Sequence, residues 1–192
     1  MGVLLVSADK LKAFTNINDN VDEALLLSNI QIAEDIGLQT LLGTQFYNHI
    51  KSAAQAGTLT GPETTLLQNY IQPYLIHRAY YESIPNIWMR VMNKSIVVGN
   101  TEQGTAASAG DMKYLRNMTR DRYEFYSQRM MDYLKDNPND FPIYFSYSSN
   151  QGMSPSKENY FGGFHIQPGM RKLPPVGIKG YLDPSSDLLC CK

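Results

Sequence analysis

Residues 60–85, TGPETTLLQNYIQPYLIHRAYYESIP, decide the fold class of this chain. Thr60 and Glu63 have capping-box spacing: the hydroxyl accepts from the third helical N–H and the carboxylate reaches back to the cap's own N–H. Pro62 falls in the first turn, where a missing N–H costs little. Leu66, Leu67, Tyr70, Ile71, Tyr74, Leu75 and Tyr81 then recur at the period of one helix face. Pro73 lies inside that pattern and removes the bond to the carbonyl four residues earlier, so a kink is expected. Pro85 is expected to end the segment or bend it again. Beyond it, Ile87-Trp88-Met89 and Val91-Met92 are dense enough in apolar side chains to be buried on more than one side.

The same period extends both ways from this segment. Upstream, Val3–Val6 reads as a short strand and Ala8–Leu11 as one turn. Asn20 with Glu23 reads as a capping box, opening a helix that buries Leu26, Ile30 and Ala33 and stops at Gly37. A second helix carries Leu38, Leu42, Phe46 and Ile50 in one stripe, widened by Leu41 and Tyr47, and closes at Gly57. Downstream, Ile96-Val97-Val98 followed by the turn pair Gly99-Asn100 predicts a short β-hairpin near residues 93–104. Ser108 or Asp111 then caps a long helix ending near Asp136. Its apolar positions are Leu115, Met118, Phe125, Tyr126, Met130, Tyr133 and Leu134. Lys113, Arg116, Arg120, Asp121, Glu124, Arg129 and Asp132 form an opposite, solvated face. The expected architecture is mainly α: a small bundle of about four helices, a short hairpin, and an extended irregular C-terminal arm. The domain reading is residues 1–137 as helical body and 138–192 as arm.

The chain has 192 residues, 17 basic and 18 acidic side chains, and a formal net charge of −1. Such balance disfavours a general nucleic-acid binder, whose basic excess is spread over one face. A domain of this size buries roughly 70% of its unfolded surface and needs no disulfide or metal to fold. Cys190 and Cys191 are adjacent, so they neither staple distant segments nor supply a zinc site alone. No stretch approaches the ~18–20 apolar residues of a spanning helix, and Val3–Val6 is too short for a secretory leader. Met1-Gly2 lacks the Ser or Thr that myristoylation requires at the sixth position, where Val6 stands. The expectation is a soluble chain made in a reducing cytoplasm, with no membrane partner.

After Asn137-Pro138 the helical period disappears. Residues 138–192 hold 7 of the 10 prolines and 8 of the 21 aromatic residues. A disordered linker would be poor in aromatics, whereas a segment this rich in Pro and Gly cannot build its own helical core. An arm that orders against another surface accounts for both, and a long loop folded over its own body is the alternative. The arm's expected partner-binding residues are Phe141, Tyr144, Phe145, Tyr160, Phe161, Phe164, Met170 and Arg171, since aromatic and Arg side chains anchor interfaces. Lys94, Ile96, Val97 and Val98 are expected to bind a partner through the hairpin.

Catalytic and metal-binding patterns are sparse. His49, His77 and His165 have no partner at ligand spacing on a shared helix. Asn16, Asn18, Asn20 and Asp22 alternate like a calcium loop but lack its central Gly and closing Glu. The small-residue run Gly99–Gly110 lacks the Lys-Ser/Thr ending of a phosphate-binding loop. No nucleophile elbow or Cys–His pairing stands out. No catalytic residue, metal ligand or cofactor is therefore assigned.

Four stretches, in order, resemble the head-to-tail connector (adaptor) proteins of tailed bacteriophages, and among them the connector rings of crAss-like phages. These are Leu11-Lys12 through Thr15 to Asn20-Val21-Asp22, with Ile32-Ala33-Glu34-Asp35; Leu41-Leu42-Gly43-Thr44-Gln45-Phe46-Tyr47; Leu66-Leu67 with Tyr70-Ile71-Gln72-Pro73; and Asn93-Lys94 leading to the long helix with Tyr126, Tyr133-Leu134, Asn137 and Phe141-Pro142. The resemblance covers about residues 3–145 and does not extend into the tail. It makes Leu41, Leu42, Gly43, Tyr47, Tyr70 and Pro73 family-motif core positions. It implies a homo-oligomeric ring of about twelve copies beneath the portal vertex, with portal and tail or neck proteins as partners. DNA would pass transiently through the lumen, in a virion assembled in the bacterial host cytoplasm, with no enzymatic activity. A helical module that captures one soluble partner with its aromatic arm is the competing reading.

Overall fold

A computed structural model describes residues 4–91, 96–98, 107–146 and 152–155, all within one compact unit, Met1–Asn159. The expected mainly helical architecture is found. Helix α1 is Ala8–Ala13. Helix α2 spans 23–42: α-helical Glu23–Ile32, a π-helical stretch Ala33–Leu38, and Gln39–Leu42. Helix α3 is Thr44–Ala56. Helix α4 spans 61–88: Gly61–Leu66, a second π stretch Leu67–Ile71, and Gln72–Trp88. Strands β1 (Met89–Val91) and β2 (Ile96–Val98) are followed by α5 (Ala109–Asp136) and the short α6 (Pro142–Phe145).

The capping chemistry decides where these helices begin. Thr60 and Glu63 make the expected reciprocal box, Thr60 N donating to Glu63 Oε2 at 2.8 Å. Ser108, with Asp111 three residues on, makes a second box that opens α5. For α2 the cap is Asp22, which accepts from Ala24 N at 3.0 Å, and not Asn20. Asn20 belongs to the preceding turn, its N–H bonded to Asn18 Oδ1. Gly57 ends α3 in the left-handed region at φ 67°, a conformation in which glycine meets no Cβ penalty.

Helix α4 is the centre of the body, with α2 and α5 both packed on it and making little contact with each other. The fully buried core draws on all of these elements: Leu11, Leu26, Ile30, Leu38, Leu42, Phe46, Ile50, Leu66, Ile71, Leu75, Leu134 and Phe141 among others. Gly37 does not stop α2. It lies inside the π stretch, where a Cβ would stand 2.6 Å from the Tyr74 hydroxyl, so glycine serves a close approach to α4. The break comes at Gly43 (φ 77°), and the Leu38–Ile50 stripe stays buried across it. At Pro73 the irregularity takes the form of the π stretch Leu67–Ile71 immediately before it. The wider turn accommodates a residue that cannot donate to the carbonyl four residues back. Helix α4 then continues through Pro85 to Trp88.

Several expectations need correction. Residues 4–7 form no strand; Leu5 and Val6 are buried as irregular backbone. The hairpin expected at 93–104 is not found as drawn. Ile96–Val98 pairs backwards, antiparallel, on Met89–Val91, with Arg90 opposite Val97, and the Gly99-Asn100 turn lies outside the described residues. Ile87 and Met89 are each 36% exposed rather than enclosed. The body also extends past residue 137: Phe141 and Tyr144, expected in the arm, are 1% and 2% exposed. They pack edge-on against Phe46 at 5.9 and 5.8 Å.

Candidate interaction surfaces

The α4–α5 seam is a ladder of aromatic rings tied by cations. Tyr70 stacks on Tyr133 (4.2 Å between centroids) and His77 on Tyr126 (5.2 Å), while Tyr123 meets Tyr74 and Tyr81 edge-on. Arg116 lies 4.2 Å over the Tyr81 ring, Arg78 4.8 Å over Tyr123, and Arg129 5.0 Å over Tyr70. Arg116 was expected on a solvated face and is instead half-buried, because the ring face attracts its guanidinium. Tyr123 loses water on entering this seam, which raises its pKa above the usual phenol value.

Outside the seam, α5 presents a different face. Tyr114 is 71% exposed and Phe125 63% exposed, and Met118 joins them at helical spacing. Of the two neighbours expected in the core stripe, Tyr126 enters the seam and Phe125 faces out. Two shallow hollows flank Phe125, one of about 580 Å³ bordered by His77, Met118, Asp121 and Arg122, the other of about 370 Å³ bordered by Tyr70, Arg129, Asp132, Tyr133 and Asp136. A third cleft of about 480 Å³ lies at the other end of α5. Ile17, Val21, Ile84, Trp88, Met112 and Leu115 contribute to it, and Trp88 Nε1 donates to the Ala107 carbonyl at 2.9 Å.

Two polar clusters tie different elements of the body together. Glu34 is 0% exposed. Its Oε1 accepts from Leu5 N at 2.6 Å and its Oε2 from Lys51 Nζ at 2.9 Å, while Lys51 also donates to the Tyr47 hydroxyl at 2.8 Å. Gln72 Nε2 completes the clamp by donating to the Leu5 carbonyl. Burial works against the Lys51 charge, yet the bonds to Tyr47 and Glu34 outweigh it and raise its pKa. In the second cluster His49 Nε2 lies 2.6 Å from Glu63 Oε1. Burial of Glu63 opposes its ionised form, but hydrogen bonds from Thr60 and His49 prevail and hold it below the usual carboxylate range. Among the described residues no group of three or more His, Cys, Asp or Glu could hold a metal ion. No helix among the described residues is long and apolar enough to cross a membrane.

Of the expected site residues, Leu42, Gly43 and Tyr47 are buried, and Leu41, Tyr70 and Pro73 half-buried, as core or core-lining positions. Phe141 and Tyr144 belong to the core, so they are not free to bind a partner; Phe145 is 39% exposed. Tyr160, Phe161, Phe164, Met170, Arg171, His165 and Lys94 lie outside the described residues. Ile96, Val97 and Val98 are placed as strand β2 only. Sequence reasoning missed the Glu34–Lys51–Leu5 clamp and the His49–Glu63 pair, which join different elements. It also missed a contact between Gly43-Thr44 and the segment 152–155. There Thr44 N donates to Met153 O at 3.0 Å and Met153 N to Thr44 Oγ1 at 3.0 Å, with Pro155 buried against Gly43. A Cβ on Gly43 would stand 2.7 Å from Pro155 Cδ, so this glycine serves both a positive φ and a close backbone approach.

No curated protein and no solved structure matches the chain. The span that does match a known family runs from Leu38, the last residue of the π stretch in α2, to Met153, whose backbone is bonded to Thr44. It covers more than half of the sequence: residues 38–153 match a family of unknown function (DUF6712), and the protein belongs to that family.

Proposed function

We propose that this protein is a structural virion component, a head-to-tail connector that assembles as a closed ring of about twelve copies between the portal and the tail, with DNA passing through the lumen. It acts in the neck of a virion built in the bacterial host cytoplasm, without enzymatic activity or cofactor. The ordered resemblance of four sequence stretches to phage connectors motivates the reading. One observation supports it most: the outer face of α5 leaves Tyr114 and Phe125 open to solvent beside Arg122 and Arg129. Exposed aromatics with adjacent guanidiniums are the residue types that dominate the energy of protein interfaces. The Pro-, Gly- and aromatic-rich segment beyond Pro155 supplies further contacts to neck proteins. Near-neutral charge suits a channel through which DNA slides, since phosphate-gripping cations would retard it.

The cleft beside Trp88 favours a second reading, a helical module that captures one soluble partner. Sedimentation velocity and negative-stain microscopy of the full chain, alone and with the portal protein of the same phage, separate the two. Rings, alone or on the portal, support the connector. A lasting monomer that never binds portal overturns it, and a one-to-one complex with a soluble protein supports the module.

A further inference from the structure

Four helices of the body bring their own caps. Ser7, Asp22, Thr60 and Ser108 open α1, α2, α4 and α5, each side chain accepting from a backbone N–H in the first turn. Helix α3 opens on Gly43, which has no side chain to offer. Its first N–H, on Thr44, is met instead by the Met153 carbonyl at 3.0 Å, from 109 positions later in the chain. The exchange is mutual, since Met153 N donates to Thr44 Oγ1 at 3.0 Å, and Gln39 Nε2 donates to the same oxygen at 3.0 Å. Both sides of the contact need glycine. A Cβ on Gly43 would stand 2.7 Å from Pro155 Cδ and 3.1 Å from the Met153 carbonyl oxygen, so a Ser, Asn or Asp cap at position 43 would shut the segment out. A Cβ on Gly152 would stand 2.8 Å from Thr44 Oγ1, and the two glycines have φ of 77° and 97°.

We propose that Gly152–Pro155 is a releasable strap: closed, it caps α3 and roots the following C-terminal segment at the α2–α3 corner; open, it lengthens that segment's tether. The site gives up a local side-chain cap in exchange for one that can leave. Of the strap's four residues only Pro155 is buried, and Met153 is 47% exposed. A segment with so little buried apolar surface and so exposed a backbone opens locally at a cost far below that of global unfolding. Opening leaves the Thr44 N–H to water while the Leu42, Phe46 and Ile50 packing beneath it stays in place. With the strap closed, the chain is held to the body at Pro155. With it open, the last attachment is α6, which ends at Phe145, with Ser146 as its cap. Residues 147–155 then add up to about 30 Å of reach at full extension. The strap thus sets how far the Pro-, Gly- and aromatic-rich segment can extend from the body. This holds whether or not copies of the chain form a ring.

Native-state hydrogen exchange on the full chain reads the strap directly. The Thr44 and Met153 amides are expected to exchange together, at least about a hundredfold faster than the core amides of Ile50 and Leu75, and with little dependence on dilute urea. Gly152→Ala, which leaves the body's own residues untouched, is expected to speed both strap amides at least about tenfold while the core amides and the urea midpoint stay unchanged. A second measurement locks the strap. In a chain with Cys190 and Cys191 replaced by Ser, Thr44→Cys with Met153→Cys is expected to oxidise readily. Oxidation should slow trypsin cleavage after Lys157, two residues beyond the strap, and reduction should restore it. Strap amides that exchange only together with Ile50 and Leu75 make 152–155 part of the cooperative body and overturn the proposal. A Gly152→Ala chain that speeds one strap amide without the other, or an oxidised pair cleaved as fast as the reduced one, overturns it too. A cysteine pair that never closes overturns the contact itself.

Discussion

Truncating Phe141 to Ala measures whether the body ends at residue 137 or includes the turn that follows. Its ring is 1% exposed and meets Phe46 and Tyr133 edge-on, at 5.9 and 5.8 Å. Removing a buried phenyl ring from a packed core costs about 3–5 kcal/mol, the lost transfer energy plus the cavity left behind. Each edge contact adds about 0.5–1.5 kcal/mol beyond area burial, which places this site toward the upper part of that range. For a domain of this length each kcal/mol lowers Tm by about 2–4 °C, so a fall of about 8–20 °C is expected. Phe145→Ala is the control: four residues on, 39% exposed and in edge contact with Tyr144, it should cost no more than about 1 kcal/mol. Urea unfolding followed by far-UV circular dichroism gives both values, and an unchanged m-value licenses the comparison. Equal small losses for the two variants would mean that Phe141 is not part of the cooperative core, and the body would end at Asn137 after all.

Two further perturbations probe the polar side of the core. Lys51→Met strips the buried Glu34 carboxylate of its cation and should cost about 3–5 kcal/mol. Glu34→Leu with Lys51→Met should cost only about 1–3 kcal/mol, because the unmet Leu5 N–H is the main remaining penalty. A double variant no better than the single, measured by urea unfolding, would refute the clamp. His77 is held below its ordinary pKa of 6.5, first by burial and then by the nearby Arg122. The folded state therefore binds this proton less readily than the unfolded one, so the contribution is complete above the unfolded pKa and is lost as pH falls below it. His77→Gln should flatten the fall in stability between about pH 7 and 5; an unchanged slope in urea titrations across that range would refute it.

What was legible beforehand was local. Thr60 with Glu63, and Ser108 with Asp111, declare helix starts because each cap needs only residues within one turn of itself. The Leu38–Ile50 stripe could be read as buried because apolar period survives even a helix break. Glycine and aromatic residues were misread where one residue type serves two purposes. Gly37 carries the signature of a helix stop, but what requires glycine there is the Tyr74 hydroxyl arriving from a helix nearly forty residues later. Phe125 and Tyr126 are adjacent and both apolar, and only the position of α4 decides that Tyr126 enters the seam and Phe125 faces out. Composition alone places Phe141 and Tyr144 in an arm, because a composition window cannot see Phe46.

The same physics governs the candidate interface. An interaction surface is defined by what remains unpartnered after folding, and no motif encodes a remainder. Arg116 and Arg122 are indistinguishable as letters on one helix, yet Arg116 lies over the Tyr81 ring and Arg122 is left with no carboxylate among the described residues. Asp35 and Glu34 are adjacent, yet Lys51 neutralises only Glu34. Once those internal pairings are removed, exposed charges of both signs remain around Phe125 on α5, Arg122 and Arg129 beside Asp132 and Asp136, while α2 keeps Asp35.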